Sequence, residues 1–104
     1  MKTLEIVPRD RRRFYDAIVK KQDDIHQRGR GTFSRTGPRR ANSARWTHAK
    51  FAGSVDLARS ADEAVSVKIK SRIKTDESKM LSAFLGWIDR HFGDRLQTVT
   101  IHYR

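Results

Sequence analysis

Between Arg28 and Lys50 the chain carries seven cationic side chains: Arg28, Arg30, Arg35, Arg39, Arg40, Arg45 and Lys50. No Asp or Glu interrupts the interval from Asp24 to Asp56. Six of the seven are arginine, whose planar fork of donors matches phosphate oxygens and is less strongly hydrated than an ammonium. Gly29, Gly31 and Gly37 let a backbone approach a ligand closely. Phe33 and Trp46 supply rings on which bases can stack. Together these residues predict an arm that follows a phosphate backbone. A second cluster, Arg11, Arg12 and Arg13, adds to it.

Histidine suggests a different chemistry. A His near Lys, Arg or Tyr can act as general acid or base in RNA cleavage without a metal. His48, two residues from Lys50, and His102, beside Tyr103, are the candidates. Alternation sends His102 and Tyr103 to opposite faces of a strand, which weakens that pair. His26, His48, His91 and His102 show no metal-ligand spacing. The acidic pairs Asp23-Asp24 and Asp62-Glu63, and Asp89 and Asp94 around "RHFG", lack the positioned partners of a metal-dependent nuclease. Gly29-x-Gly31 lacks the third glycine of a dinucleotide fingerprint and follows a helix rather than a strand. No metal or cofactor is expected.

The whole chain agrees with the local excess. Its 104 residues contain 23 Lys or Arg and 12 Asp or Glu, a net charge of +11. Residues 1–50 account for a net +9 and residues 51–104 for +2. Such a balance bears on partners rather than on fold, and favours nucleic acid, an acidic protein or another polyanion. There is no cysteine, so disulfides, thiolate zinc sites and thiol nucleophiles are excluded. No segment approaches the ~20 apolar residues that span a bilayer, and the first ten residues lack a signal-peptide apolar run. A cytoplasmic protein is expected.

These side chains must be positioned by few elements. The length suits one small domain, residues 1–104. "TLEIV" (3–7) reads as a short strand ended by Pro8. Asp10 is the expected N-cap of a helix from Arg11 to His26, with Phe14, Ile18, Val19 and Ile25 on its apolar stripe. Residues 28–43 read as a basic loop without period. "RWTHAKF" (45–51), "SVDLARS" (54–60) and "AVSVKIKSR" (64–72) read as three strands of a meander. The last is clearest: Val65, Val67 and Ile69 alternate with Ser66, Lys68 and Lys70. A second helix starts at Thr75 or Asp76 and stops at Gly93. Met80, Leu81, Phe84, Leu85, Trp87, Ile88 and Phe92 form its stripe. "LQTVTIHYR" (96–104) reads as a closing strand. The order is (β)-α-loop-β-β-β-α-β. The fold class is α+β, an antiparallel sheet of three to four strands with two helices packed on one face. The other face carries Lys68, Lys70, Arg72 and Arg104.

From residue 11 to 93 the order helix–strand–strand–strand–helix resembles that of double-stranded-RNA-binding domains. Those domains carry a lysine cluster at the start of their second helix; Lys74 and Lys79 stand there in this chain, with Asp76 and Glu77 between them. In size and basicity the chain is also similar to small bacterial ribonuclease toxins. The leading expectation is a nucleic-acid-binding protein, RNA ahead of DNA, gripping phosphates through the Arg-rich loop. The alternatives are a metal-independent ribonuclease and an interaction module or homodimer with an acidic partner.

Overall fold

The computed structural model describes residues 1–38 and 40–103. Six strands and two helices alternate along it: β1 (Lys2–Pro8), α1 (Phe14–Gln27), β2 (Phe33–Thr36), β3 (Ser43–His48), β4 (Ser54–Arg59), β5 (Val65–Lys70), α2 (Lys74–Phe92) and β6 (Leu96–Tyr103). One sheet holds all six strands in the order β2-β3-β4-β5-β1-β6. Every neighbouring pair is antiparallel.

The α+β class and the two helices agree with the sequence pattern, but the sheet is wider than three or four strands. Two segments account for the difference. β1 is interior: it pairs with β5 on one side and β6 on the other. Neither partner is its neighbour in sequence, so no hairpin signal marks it. Pro8, which lacks a ladder N–H, falls at its end, where the register with β6 shifts. The second segment lies in the expected basic loop. Residues Phe33–Thr36 form β2 and pair with Arg45–His48 of β3, making an edge hairpin. Four residues flanked by Gly31 and Gly37 are too few to show a period against so much charge.

Alternation divides the sheet into two faces. Leu4 and Ile6 of β1, Phe33 of β2, Ala44 and Trp46 of β3, Val55 and Leu57 of β4, and Val65, Val67 and Ile69 of β5 are buried together. The stripes of the helices close over them: Phe14, Tyr15, Ile18 and Val19 from α1, and Met80, Leu81, Phe84, Trp87, Ile88 and Phe92 from α2. Trp46 sits at the centre of an aromatic cluster, with ring centroids 5.1 Å from Trp87, 5.8 Å from Phe33 and 6.1 Å from Phe84. Truncating such a residue typically costs about 3–5 kcal/mol.

The helix starts differ from the sequence reading. Helix α1 begins at Phe14, after Arg13 in a left-handed conformation with φ 48°. Asp10 caps the preceding turn instead: it accepts from the Arg12 N–H at 3.2 Å and from Arg95 Nη2 at 2.9 Å. Arg11–Arg13 are therefore a connection between β1 and α1, not a first helical turn. At α2 the Asp76 carboxylate accepts from the Ala52 N–H at 3.0 Å and so ties the β3–β4 turn to the helix.

That turn contains the most constrained glycine. Gly53 has φ +127°, and a Cβ there would run into the Lys70 carbonyl oxygen and come 2.6 Å from Met80 Cε. Gly29, with φ +69°, has open space around the same position. Gly53→Ala is expected to cost about 3 kcal/mol or more in denaturant unfolding, and Gly29→Ala about 1 kcal/mol. Equal losses would show that the Gly53 contact is not a packing constraint.

Candidate nucleic-acid interface

The residues expected to contact phosphate do not form one arm. Strand direction separates them. Arg28 and Arg30 follow the C-terminus of α1, and Lys50 follows β3, at the end of the sheet where β2 begins. Arg11–Arg13 and Arg40 lie toward the opposite end, where α1 begins and β2 stops. A six-residue strand spans about 20 Å between those ends. Arg39 lies outside the described residues.

Several expected contact residues are engaged within the fold. Phe33 and Trp46 are buried, so neither ring offers a face to a base. Both belong to the helix-covered side of the sheet, where apolar area gains most from burial. Arg35 donates from Nε to Asp23 at 3.3 Å and from Nη1 to the Gly37 carbonyl at 3.1 Å, clamping β2 onto α1. Arg11 lies 3.0 Å from Asp62, and Arg13 lies 3.2 Å from Asp16. Among the described residues, Arg28, Arg30, Arg40 and Lys50 have no carboxylate within ion-pair distance.

The "RGRG" run has a structural explanation. The Gly29 N–H donates to the His26 carbonyl at 2.9 Å, and the Arg30 N–H to the Ile25 carbonyl at 3.1 Å. With Gly29 left-handed, these are the two bonds of a Schellman helix stop. The glycine is needed to end α1, and the arginines flank it.

The sheet face away from the helices gathers a different set. Cross-strand pairing aligns Thr36, Arg45, Asp56, Lys68, Thr3 and His102 in one row across all six strands. Around the first four of these residues lies a shallow groove of about 560 Å³. Its cations are Arg40 from the β2–β3 turn, Arg45 from β3, and Lys68 and Lys70 from β5; its hydroxyls are Thr36, Ser43 and Ser66. Asp56 is the single carboxylate in the lining. Arg45 donates to it twice, Nε to Oδ1 at 2.7 Å and Nη2 to Oδ2 at 3.2 Å. The hydrogen bonds to Asp56 raise the Arg45 pKa further above its ordinary range. Lys70 Nζ lies 3.9 Å from the same carboxylate. Among the described residues four cations and one acid thus line the groove, a local net charge of +3, and two of the cations, Arg45 and Lys70, lie against that acid. Glu5 lies on the same face of β1, opposite Ser66 and Thr100.

The sequence places Lys68 and Lys70 on this face and picks out Arg40 and Arg45. It misses Asp56 and the hydroxyls, because only the register brings them beside the cations. Lys68 and Lys70 are exposed as expected, and Arg104 lies outside the described residues.

The histidines are dispersed. His48 is on the helix-covered side, stacked on Phe51 with centroids 4.4 Å apart, and its Nδ1 accepts the Lys50 N–H at 3.0 Å. His102 sits on the open face of β6. The two are four strands apart in the sheet, on opposite faces. Among the described residues no three His, Asp or Glu side chains gather where a metal could bind. No helix among them is long and apolar enough to cross a membrane.

The succession α-β-β-β-β-α, flanked by β1 and β6, departs from the order of double-stranded-RNA-binding domains by one strand within and one on each side. No family model, curated protein or solved structure matches the chain.

Burial, reinforced by the charge of Lys50, lowers the His48 pKa below its ordinary 6.5. The unfolded chain therefore takes up this proton more readily, so the His48 contribution to stability is complete above pH 6.5 and declines as pH falls below it. Stability is expected to fall as pH drops below 6.5, less so in His48→Gln, and the His48 ring signals should titrate below 6.5 by NMR. A midpoint above 6.5 would contradict this assignment.

Proposed function

We propose that this protein binds nucleic acid through the open face of its sheet, with single-stranded RNA ahead of DNA. The observation that carries the reading is the groove lined by Arg40, Arg45, Lys68 and Lys70 with one carboxylate, Asp56, among the described residues. Cations at strand spacing suit successive phosphates, and hydroxyls between them suit ribose 2′-OH groups. The volume holds one or two nucleotides of a strand that continues along the open face, rather than a duplex. Among the described residues the open face carries no Phe, Trp or Tyr, and His102 is its one aromatic-type ring. Stacking therefore contributes little, and binding rests on the backbone: weak in sequence preference and steep in salt. Arg28, Arg30 and Lys50, beyond one end of the sheet, add only long-range attraction, which salt screens over about 10 Å.

Titration of labelled single-stranded RNA and DNA across a salt series tests this. The log–log slope should lie near −2 to −3, about 0.7 for each of three or four phosphates. Lys68→Glu with Lys70→Glu should lower affinity at least ~10-fold and flatten the slope by more than about one unit, with little change in thermal unfolding. Arg28→Glu with Arg30→Glu should have a smaller effect. If this second pair is the more damaging, the contact lies at the helix stop and the groove is not the site.

Asp56 gives the opposite test. Asp56→Asn frees the Arg45 fork and removes a competing anion from Lys70, so affinity should rise several-fold. Weaker binding in Asp56→Asn would mean that Asp56 holds Arg45 in place for the ligand instead of competing with it.

A further inference from the structure

The two edges of the sheet are treated differently. β2 is four residues long, carries Arg35 and runs into Gly37-Pro38. Short length, charge and a nearby proline are the usual protection of an edge against pairing with another chain. β6 has none of these. It runs eight residues, Leu96–Tyr103, with only β1 beside it. It contains no Lys, Arg, Asp or Glu, although charged residues make up 34% of the chain and each of the other five strands has at least one.

The helix layer also stops short of β6. Leu85, Leu96, Val99 and Ile101 are only partly buried where they meet the core. Tyr103, on the same face, is 68% exposed. An apolar margin thus runs along an unprotected edge.

We infer that β6 pairs antiparallel with β6 of a second copy, forming a twofold dimer with one continuous twelve-stranded sheet. The strand is complementary to itself. With the axis at Thr100, Val99 of one copy faces Ile101 of the other on the helix side. Thr98 faces His102 on the open side, and Gln97 faces Tyr103. β-Branched and aromatic side chains opposite one another are the pairs that stabilise antiparallel ladders. A self-pairing surface is what a twofold interface requires. The absence of charge matters for bodies of net +11: like charges directly opposite would oppose association, and β6 has none. An unrelated extended peptide would gain the backbone bonds but not this symmetry. Because paired residues keep their face, both grooves would open on the same side of the joined sheet.

The dimer is tested without reference to nucleic acid, using nuclease-treated full-length protein in about 0.5 M salt, where polyanion bridging is suppressed. Light scattering after size exclusion should give twice the monomer mass at micromolar concentration. Thr98 and His102 are both exposed, and their own β1 neighbours, Val7 and Thr3, are uncharged. Thr98→Lys with His102→Lys should therefore fold normally by circular dichroism and run as a monomer, since it sets like charges across the seam twice. Thr98→Glu with His102→Glu should do the same. Mixing the two variants should restore the dimer. A wild-type monomer at about 100 µM would overturn the proposal, as would a Lys variant that dimerises as well as wild type or a mixture that stays monomeric.

Discussion

Two helices can cover one face of a six-stranded sheet and not the other. That limit governs the molecule. Every strand alternates, so each apolar residue committed to the covered side fixes a neighbour on the bare side. Val65, Val67 and Ile69 cannot be buried without presenting Ser66, Lys68 and Lys70 to solvent. Among the described residues no third layer closes over them. The bare face must be polar, and its charges are set beside one another by register rather than by sequence neighbourhood. The row from Thr36 to His102 draws on all six strands.

Charge placement follows the same division. On the helix side and at the sheet ends, arginines serve the fold. Arg59 donates to Asp16 at 2.5 Å and to Glu63 at 3.1 Å, and lies over the Tyr15 ring. Arg95 bridges Asp10 and the Arg12 carbonyl. Such pairs at a half-exposed surface add modest stability each, and geometry matters more than number. Cations outnumber acids 23 to 12, and among the described residues several, Arg28, Arg30, Arg40, Lys50 and Lys68 included, have no carboxylate within ion-pair distance. On the open face Arg40 and Lys68 stand beside Arg45 and Lys70, which share Asp56.

The sequence shows the parts of this arrangement that depend on local period, and little else. The α2 stripe, the β5 alternation and the hairpin of β4 and β5 are legible because their signals lie within ten residues. β1 is legible as a strand but not as an interior one, since its partners are nearly the whole chain away. β2 is hidden because glycines that end α1 and turn the hairpin resemble the glycines of a flexible loop. Phe33 and Trp46 look like stacking rings in a basic segment; only their places opposite His48 and Arg35 on the helix side show them to be core. Arg40 and Arg45 are identified correctly as basic and outward, but their grouping with Lys68 and Lys70 needs the third dimension.

The interior place of β1 also affects how the chain is made. Leu4 and Ile6 have places in the core, yet the strands that pair with theirs begin at Val65 and Leu96, far along the chain. Until β5 has emerged this strand has no ladder partner, and its other backbone row stays unpaired until β6 follows. Synthesis at ~5–20 residues per second leaves it waiting for several seconds. Closure of the sheet is therefore late, and ribosome-bound chains that stop before β6 leave β1 as an exposed edge for chaperones to shield.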